Sequence, residues 1–201
     1  MFDARLRPLI DPPLNALGAR IAACGVTADM VTLIGLGLGL TAAGAAAFGA
    51  PLLALALIML NRLADGLDGA VARVGGASPF GGFLDLSADF LFYGAIPLGF
   101  AFANPDANAL AAAALLFGFI ANGSAFLAYA ATAERLGLTT TSQGSKSLYY
   151  VAGLAEGAET ILVFILFCLA PAFFAPLAYA FAALCLMSAA GRILLAAKEF
   201  R

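Results

Sequence analysis

The segments NRLADGLDGAVAR (residues 61–73) and GGFLDLSAD (residues 81–89) place four aspartates in a chain that is otherwise strongly apolar. They are Asp65, Asp68, Asp85 and Asp89. Hydrophobic residues make up 63% of the 201 residues and charged residues only 11%. A carboxylate inside a bilayer is costly unless it is paired or binds a metal ion. Four such residues close together therefore indicate a functional site.

The apolar runs predict an all-α, polytopic membrane protein. A spanning helix needs about 20 residues, and the sequence divides into six such segments: residues 29–48, 51–73, 81–103, 107–132, 148–170 and 173–197. Residues 1–24 alternate charged and apolar side chains around Pro12-Pro13, which is typical of a kinked interfacial helix. We expect one domain over residues 1–201, with the interfacial helix at 1–24 and a six-helix bundle at 29–197.

Basic residues collect near alternate helix ends. They are Arg5, Arg7, Arg20, Arg73, Arg135, Lys146, Arg192, Lys198 and Arg201. The connections around residues 49–50, 104–108 and 170–171 contain no Lys or Arg. By the positive-inside rule, both termini and the loop after Arg73 are expected in the cytoplasm. Arg62 is the exception, since it lies deep in a predicted span.

Other residue types limit the chemistry. The sequence has no histidine, so a general base is expected to be a carboxylate. Cys24, Cys168 and Cys185 lack metal-ligand spacing and are interpreted as small core residues. Glycines give two spans small faces that suit packing within the chain or a homodimer equally well. These are Gly35, Gly37, Gly39 and Gly44 in the first span and Gly118 and Gly123 in the fourth.

The aspartates are expected to converge in a hairpin of the second and third spans. Asp65 and Asp89 each lie 12 residues from Ala77 at the turn, and Asp68 and Asp85 form a second level nearer the cytoplasm. Spacings of i, i+3 and i, i+4 keep each pair on one helix face. Carboxylates without His or Cys partners favour Mg²⁺, Mn²⁺ or Ca²⁺, and two such ions would serve phosphoryl chemistry.

Two non-enzymatic interpretations compete with this one. A purely structural ion-pair network is disfavoured, because Arg62 and Arg73 cannot neutralise four carboxylates. A cation transporter would need carboxylates near the midplane, broken helices and repeated halves. The sequence instead concentrates them towards one side, in a single hairpin.

The pattern Asp65-x2-Asp68-Gly69-x2-Ala72-Arg73, followed by Gly81-x3-Asp85-x3-Asp89, resembles the signature of the CDP-alcohol phosphotransferases. These are six-helix membrane enzymes of phospholipid synthesis. The Ala28-Asp-Met-Val-Thr-Leu start of the first span is also similar to the family's, and the chain resembles a small bacterial inner-membrane subgroup whose substrates are not settled. The family usually has eight residues between the Arg and the Gly, where this chain has seven, Val74 to Phe80.

The resemblance implies a function and a set of roles. Asp65, Asp68 and Asp85 would bind two divalent ions, Mg²⁺ or Mn²⁺, while Asp89 would complete the metal site and act as the base. The CDP-binding residues would be Asp65, Asp68, Gly69, Ala72, Arg73 and Gly81. An acceptor hydroxyl would attack the phosphorus of a CDP-linked lipid, expected to be CDP-diacylglycerol, and release CMP. The active site would face the cytoplasm from the bacterial inner membrane. The expected partners include membrane lipid and no nucleic acid.

The acceptor stays open between two chemistries. Lys146 and Arg192 lie towards the cytoplasmic side and would suit a phosphorylated polyol. Glu156 and Glu159, with Tyr149 and Tyr150, would instead suit a cationic acceptor such as choline. Counting from the cytoplasmic ends puts Glu159 at the depth of Arg62, which predicts a buried pair between them.

Overall fold

The computed structural model describes residues 3–137 and 155–200, with side chains from residue 12 onward. These residues form helices and contain no strand. The helices are α1 (Asp3–Ala23), α2 (Ala28–Ala47), α3 (Pro51–Gly75), α4 (Pro79–Ala103), α5 (Pro105–Arg135), α6 (Gly157–Leu169) and α7 (Phe174–Glu199), with a 3₁₀ turn at Pro171–Phe173. The all-α prediction is confirmed for this part of the chain.

Four of the helical segments are long and apolar enough to cross a membrane: Ala28–Ala47, Pro79–Ala103, Pro105–Arg135 and Pro171–Glu199. α3 has 25 residues, as many as α4, but carries Arg62, Asp65 and Asp68 in its sequence. The predicted span 148–170 coincides with α6 only over Gly157–Leu169, because residues 148–154 lie outside the described part.

Short capped connections set the register between the aspartate-bearing helices. α3 is capped by Gly76, whose φ of +97° is a conformation that favours glycine. Ser78 then caps α4, its hydroxyl accepting a hydrogen bond of 2.9 Å from the Gly81 amide, and Pro79 occupies the first helical position. The turn is therefore centred at Ala77, as the sequence predicts.

The two aspartate helices do not pack tightly against each other. α2 packs along both α3 and α4, whereas α3 and α4 make few close backbone contacts with one another. Gly99 on α4 lies against the Ala43 backbone of α2, and a Cβ on Gly39 would come within 2.6 Å of the Phe92 ring. α3 and α4 form the expected hairpin around Ala77, but each packs mainly along α2, and the aspartates line the space between the three helices.

Away from the aspartates, the bundle is filled by aromatic side chains, here called the aromatic core. Its members are Phe92, Phe100, Phe164, Phe167, Phe174 and Phe181, all of them buried. The Phe100 and Phe174 rings are stacked with centroids 5.1 Å apart, and Phe92 meets Phe164 edge-on at 5.6 Å. Cys168 and Cys185 are buried in the same region, as predicted, but Cys24 is exposed.

Most of the predicted small faces serve packing within the chain. A Cβ on Gly35 would lie 3.1 Å from Ala64, and one on Gly118 would lie 3.2 Å from Ala182. Gly39 and Gly123 meet the Phe92 and Phe90 rings in the same way. Only Gly37 and Gly44 of the predicted set have open space around them among the described residues.

Candidate active site

All four aspartates line one pocket between α2, α3 and α4, here called the carboxylate pocket. Asp68 is buried, at 7% exposure, and Asp85 is exposed. The side chains of Asp65 and Asp89 are 38% and 29% exposed. The helical spacing that predicted their convergence therefore brings them together, with Asp68 deepest in protein and Asp85 closest to its opening.

Thr32 of α2 is part of the pocket and was not singled out by sequence reasoning. Its buried hydroxyl donates a hydrogen bond of 2.6 Å to Asp68 Oδ2. A charge-assisted bond of this length fixes the carboxylate's orientation. Its sequence signal was present, because Thr32 belongs to the Ala28-Asp-Met-Val-Thr-Leu stretch, but that stretch alone does not show which carboxylate the hydroxyl reaches.

Arg62 pairs with the aspartates. Its Nη2 lies 3.0 Å from Asp89 Oδ1 and its Nη1 lies 3.5 Å from Asp65 Oδ1. The predicted pair with Glu159 is wrong, and Glu159 Oε2 is buried without a hydrogen-bond partner in the described residues. Counting residues gives depth only, and it does not give the direction a side chain takes around its helix. Asp65, one turn along α3 from Arg62, is on the same face.

The donor set suits a hard cation, although the side chains are not arranged around one. Four carboxylates face one guanidinium in the pocket, so negative charge is left uncompensated. Over residues 12–137 and 155–200, no group of three or more Asp, Glu, Cys or His side chains is already placed to hold a metal ion. The carboxylate pocket itself has a volume of only about 10 Å³. The residues fit Mg²⁺ or Mn²⁺ in chemistry, and binding would require side chains to move.

A wider cavity of about 180 Å³ adjoins the carboxylate pocket. Asp68 and Asp85 line both spaces, so the cavity opens directly onto the carboxylates. Its other lining residues include Gly69, Ala72 and Gly81, which the sequence assigned to nucleotide binding, and Asp29, Thr32 and Ser78, which it did not. A Cβ on Gly81 would lie 3.0 Å from Asp29 Oδ1 and 3.1 Å from Ser78 Oγ, so a larger residue would crowd this wall.

Arg73 lies beside this cavity without lining it. Its Nε and Nη2 donate hydrogen bonds of 3.0 and 2.7 Å to Asn15 Oδ1 of α1. A Cβ on Gly69 would be 3.5 Å from Arg73 Nη1, so the guanidinium stands at the cavity's edge. The exposed side chain could reach a ligand after exchanging its bond to Asn15.

The acceptor candidates are not brought to the carboxylate pocket. Lys146, Tyr149 and Tyr150 lie outside the described residues. Arg192 donates to Asn122 Oδ1 at 2.7 Å, and its guanidinium carbon is 5.2 Å from the centroid of the Phe126 ring. Glu156 is exposed at the start of α6. Neither Arg192 nor Glu156 lines the carboxylate pocket or the adjoining cavity.

Comparison with known proteins agrees with this geometry. The sequence profile of the CDP-alcohol phosphatidyltransferases matches residues 25–193, most of the chain. The chain belongs to this family. The matched segment contains all four aspartates and the glycines that line the adjoining cavity.

Relatives extend the likeness beyond the signature. The inner membrane protein YnjF of Escherichia coli (strain K12) is 48% identical over 193 residues, which cover 96% of this chain and 94% of that protein. The archaetidylinositol phosphate synthase of Methanothermobacter thermautotrophicus is 32% identical over 162 residues, covering 79% and 73%. This CDP-alcohol phosphatidyltransferase is therefore similar over nearly its whole length to a bacterial inner membrane protein, and over 79% of its length to an archaetidylinositol phosphate synthase.

Solved structures share the fold. The phosphatidylinositol phosphate synthase of Mycobacterium tuberculosis, PgsA1, matches with a TM-score of 0.66 at 18% identity, over 90% of this chain and 92% of that one. That structure has CDP-DAG bound, and a second PgsA1 structure with the same TM-score is a complex with manganese and citrate. At this identity the comparison establishes the fold alone.

Proposed function

We propose that the protein is a divalent-metal-dependent transferase of phospholipid synthesis. It would move the substituted phosphate of CDP-diacylglycerol to the hydroxyl of an alcohol and release CMP. The observation that carries the proposal is the junction of two spaces: four carboxylates line the narrow pocket, and Asp68 and Asp85 also face the cavity lined by Gly69, Ala72 and Gly81. Family membership supplies the reaction class.

The carboxylates divide into ligands and base. Asp65, Asp68 and Asp85 would hold two Mg²⁺ or Mn²⁺ ions, which would stabilise the charge developing on the CMP leaving group. Thr32 keeps Asp68 oriented towards the pocket. Asp89 would complete the metal site and accept the proton of the acceptor hydroxyl. The manganese complex of PgsA1 supports the choice of ion.

The adjoining cavity would receive the CDP group of the donor. Its small residues admit the nucleotide backbone closely, and Arg73 at its edge would leave Asn15 to contact the diphosphate. Asp29 and Ser78 add polar groups to the same wall. Support for a CDP-lipid donor comes from the CDP-DAG complex of PgsA1, while the diacylglycerol would extend into the membrane.

For the acceptor we propose a phosphorylated polyol over a cationic alcohol. The archaetidylinositol phosphate synthase among the relatives favours a phosphorylated polyol by analogy. Lys146 and Arg192 would bind the phosphate, and Glu156 would contact the polyol hydroxyls. Arg192 would then exchange its bonds to Asn122 for the acceptor. A choline-like acceptor would use Glu156 and Glu159 instead.

The proposed arrangement in the membrane is a single domain with six spans. α1 would lie in the cytoplasmic interface against α3, where a Cβ on Gly18 would meet Ala70 at 2.6 Å. Both termini and the carboxylate pocket would face the cytoplasm of a bacterium, in line with the inner-membrane location in the name of YnjF. The homodimer stays a prediction.

A lipid-product assay tests the proposal. The full chain in detergent is incubated with CDP-diacylglycerol, Mn²⁺ or Mg²⁺, and a panel of acceptors: inositol phosphate, glycerol phosphate, inositol, glycerol and choline. We expect CMP release that requires both metal and one phosphorylated acceptor, and that is lost in Asp65→Asn, Asp68→Asn and Asp85→Asn. Full turnover in EDTA would contradict metal dependence, and turnover with choline alone would contradict the acceptor class.

A further inference from the structure

Among the charged residues that line the carboxylate pocket, Arg62 alone has no role in the proposed reaction. It stands three residues before the aspartate signature, yet its guanidinium joins two of the proposed ligands, from different helices. Nη2 is 3.0 Å from Asp89 Oδ1, and Nη1 is 3.5 Å from Asp65 Oδ1. The side chain is only 17% exposed, so little water screens these contacts.

Several neighbours hold the guanidinium in this place. Nε donates a hydrogen bond of 2.8 Å to Asn61 Oδ1, and Asn61 Nδ2 in turn donates one of 2.8 Å to the Gly35 carbonyl of α2. The guanidinium carbon lies 4.8 Å from the centroid of the Phe92 ring on α4. Arg62 is therefore a positioned cation supported by α2, α3 and α4, and is not a surface side chain that happens to meet an acid.

The space between Asp65 and Asp89 is too small to hold both the Arg62 guanidinium and a metal ion. The carboxylate pocket has a volume of about 10 Å³, near the minimum that admits one water molecule. An ion bound by both Asp65 and Asp89 would need their oxygens at about 2.0 to 2.2 Å, in the place where the guanidinium now lies. Two positive charges there would also repel. Asp68 and Asp85 have no such obstruction on the side of the wider cavity, which measures about 180 Å³.

We propose that Arg62 is a tethered counter-ion that occupies the place of one divalent ion between Asp65 and Asp89. The first ion binds at Asp68 and Asp85 from the wide cavity, and a second ion binds only when the guanidinium leaves Asp65 and Asp89. Arg62 thus stabilises the protein without metal and weakens its affinity for the second ion. This inference rests on the proposed metal-dependent function and adds a competing positioning residue to it.

Manganese binding to the full chain in detergent provides the test. Bound and free Mn²⁺ are measured by electron paramagnetic resonance, and thermal unfolding is followed with EDTA and with Mn²⁺. In Arg62→Met we expect the weaker of two Mn²⁺ sites to tighten at least tenfold. The melting temperature should fall in EDTA and recover when Mn²⁺ is added. Arg62→Lys keeps the charge and should bind Mn²⁺ within about threefold of the wild type.

Arg192→Met is the matched control. Arg192 is also a half-buried arginine that bonds an asparagine and contacts a phenylalanine ring, but it has no ion pair with the four aspartates in the described structure. Its substitution should leave Mn²⁺ binding unchanged. Equal tightening in Arg192→Met would mean that lost positive charge anywhere in the bundle produces the effect, and would overturn the proposal.

Other outcomes decide the matter in the same way. Unchanged or weaker Mn²⁺ binding in Arg62→Met, or tightening in Arg62→Lys, would overturn the counter-ion role. If Arg62→Met does not fold without metal, Arg62→Gln is measured as well, and folding restored by Mn²⁺ supports the proposal. Failure of both to fold even with Mn²⁺ refutes it, because an ion could not then replace the guanidinium. A wild-type protein that binds no Mn²⁺ would contradict the proposed metal site itself.

Discussion

The aromatic core and the carboxylate pocket of this helix bundle differ in how far their side chains find partners within the chain. In the aromatic core, rings such as Phe164 are fully buried and already have their partners in edge-on contacts. In the carboxylate pocket, one guanidinium pairs with two of the four acids, and the other two face an open cavity. The first region is complete within the chain, whereas the second is left with charge and space for a ligand.

Phe92 joins the two regions. One side of this buried residue meets Phe164 of the aromatic core at 5.6 Å, and its ring also lies 4.8 Å from the Arg62 guanidinium carbon. Gly39 of α2 presses against the same ring. The packed region thus supplies a rigid wall for the charged one, which is how a site that must exchange its partners can keep its geometry.

Among substitutions in the two regions, we expect the largest effect from Asp89→Asn in the carboxylate pocket. Removing the base should slow turnover by roughly 10²- to 10⁴-fold, while CDP-diacylglycerol binding with metal stays close to that of the wild type. Turnover is measured by CMP release and donor binding by calorimetry. Asp106→Asn is the matched control, since Asp106 lies in the first turn of α5, outside the carboxylate pocket, and is exposed.

Donor binding decides the role of Asp89. If Asp89→Asn lost donor binding as completely as Asp65→Asn, Asp89 would be an essential metal ligand and no base. Normal turnover in Asp89→Asn would remove it from the mechanism altogether.

The converse change is Phe164→Ala in the aromatic core. Truncating a fully buried ring typically costs about 3 to 5 kcal/mol of stability. We expect the melting temperature in detergent to fall by roughly 10 °C, with turnover per folded molecule retained. Phe48→Ala is the control, because Phe48 is 93% exposed. Loss of turnover at temperatures where Phe164→Ala is still folded would show that the two regions are coupled, and would argue against the division.

Sequence reasoning succeeded where one helix or one motif carried the information. Periodicity along α3 and α4 predicted that the aspartates share a face, and the turn expected at Ala77 lies between the Gly76 cap of α3 and the Ser78 cap of α4. The signature identified the family before any fold was known.

Sequence reasoning failed where the contact joins residues on different helices. The hairpin gave the levels of the aspartates but not the part of α2, which packs along both α3 and α4. Arg62 was matched to Glu159 by depth alone, and the direction around the helix selected Asp65 and Asp89. The hydrogen bond from Thr32 to Asp68 joins residues 36 positions apart in sequence, on two different helices. The periodicity of one helix cannot predict such a contact.

The smallest effect is expected from a substitution at Thr32, and it tests whether α2 contributes to the carboxylate pocket or only to packing. Thr32→Val keeps the shape of the side chain but removes the hydroxyl that bonds Asp68 Oδ2 at 2.6 Å. Loss of a hydrogen bond to a charged group typically costs about 1.5 to 3 kcal/mol, so metal affinity and turnover should fall by roughly 10- to 100-fold. Thr41→Val is the control, since Thr41 is exposed on the same helix and bonds only the Gly37 carbonyl in the described structure. A loss confined to melting temperature and equal in both variants would mean that Thr32 contributes to α2 packing alone, and that Asp68 needs no help from α2 to face the metal.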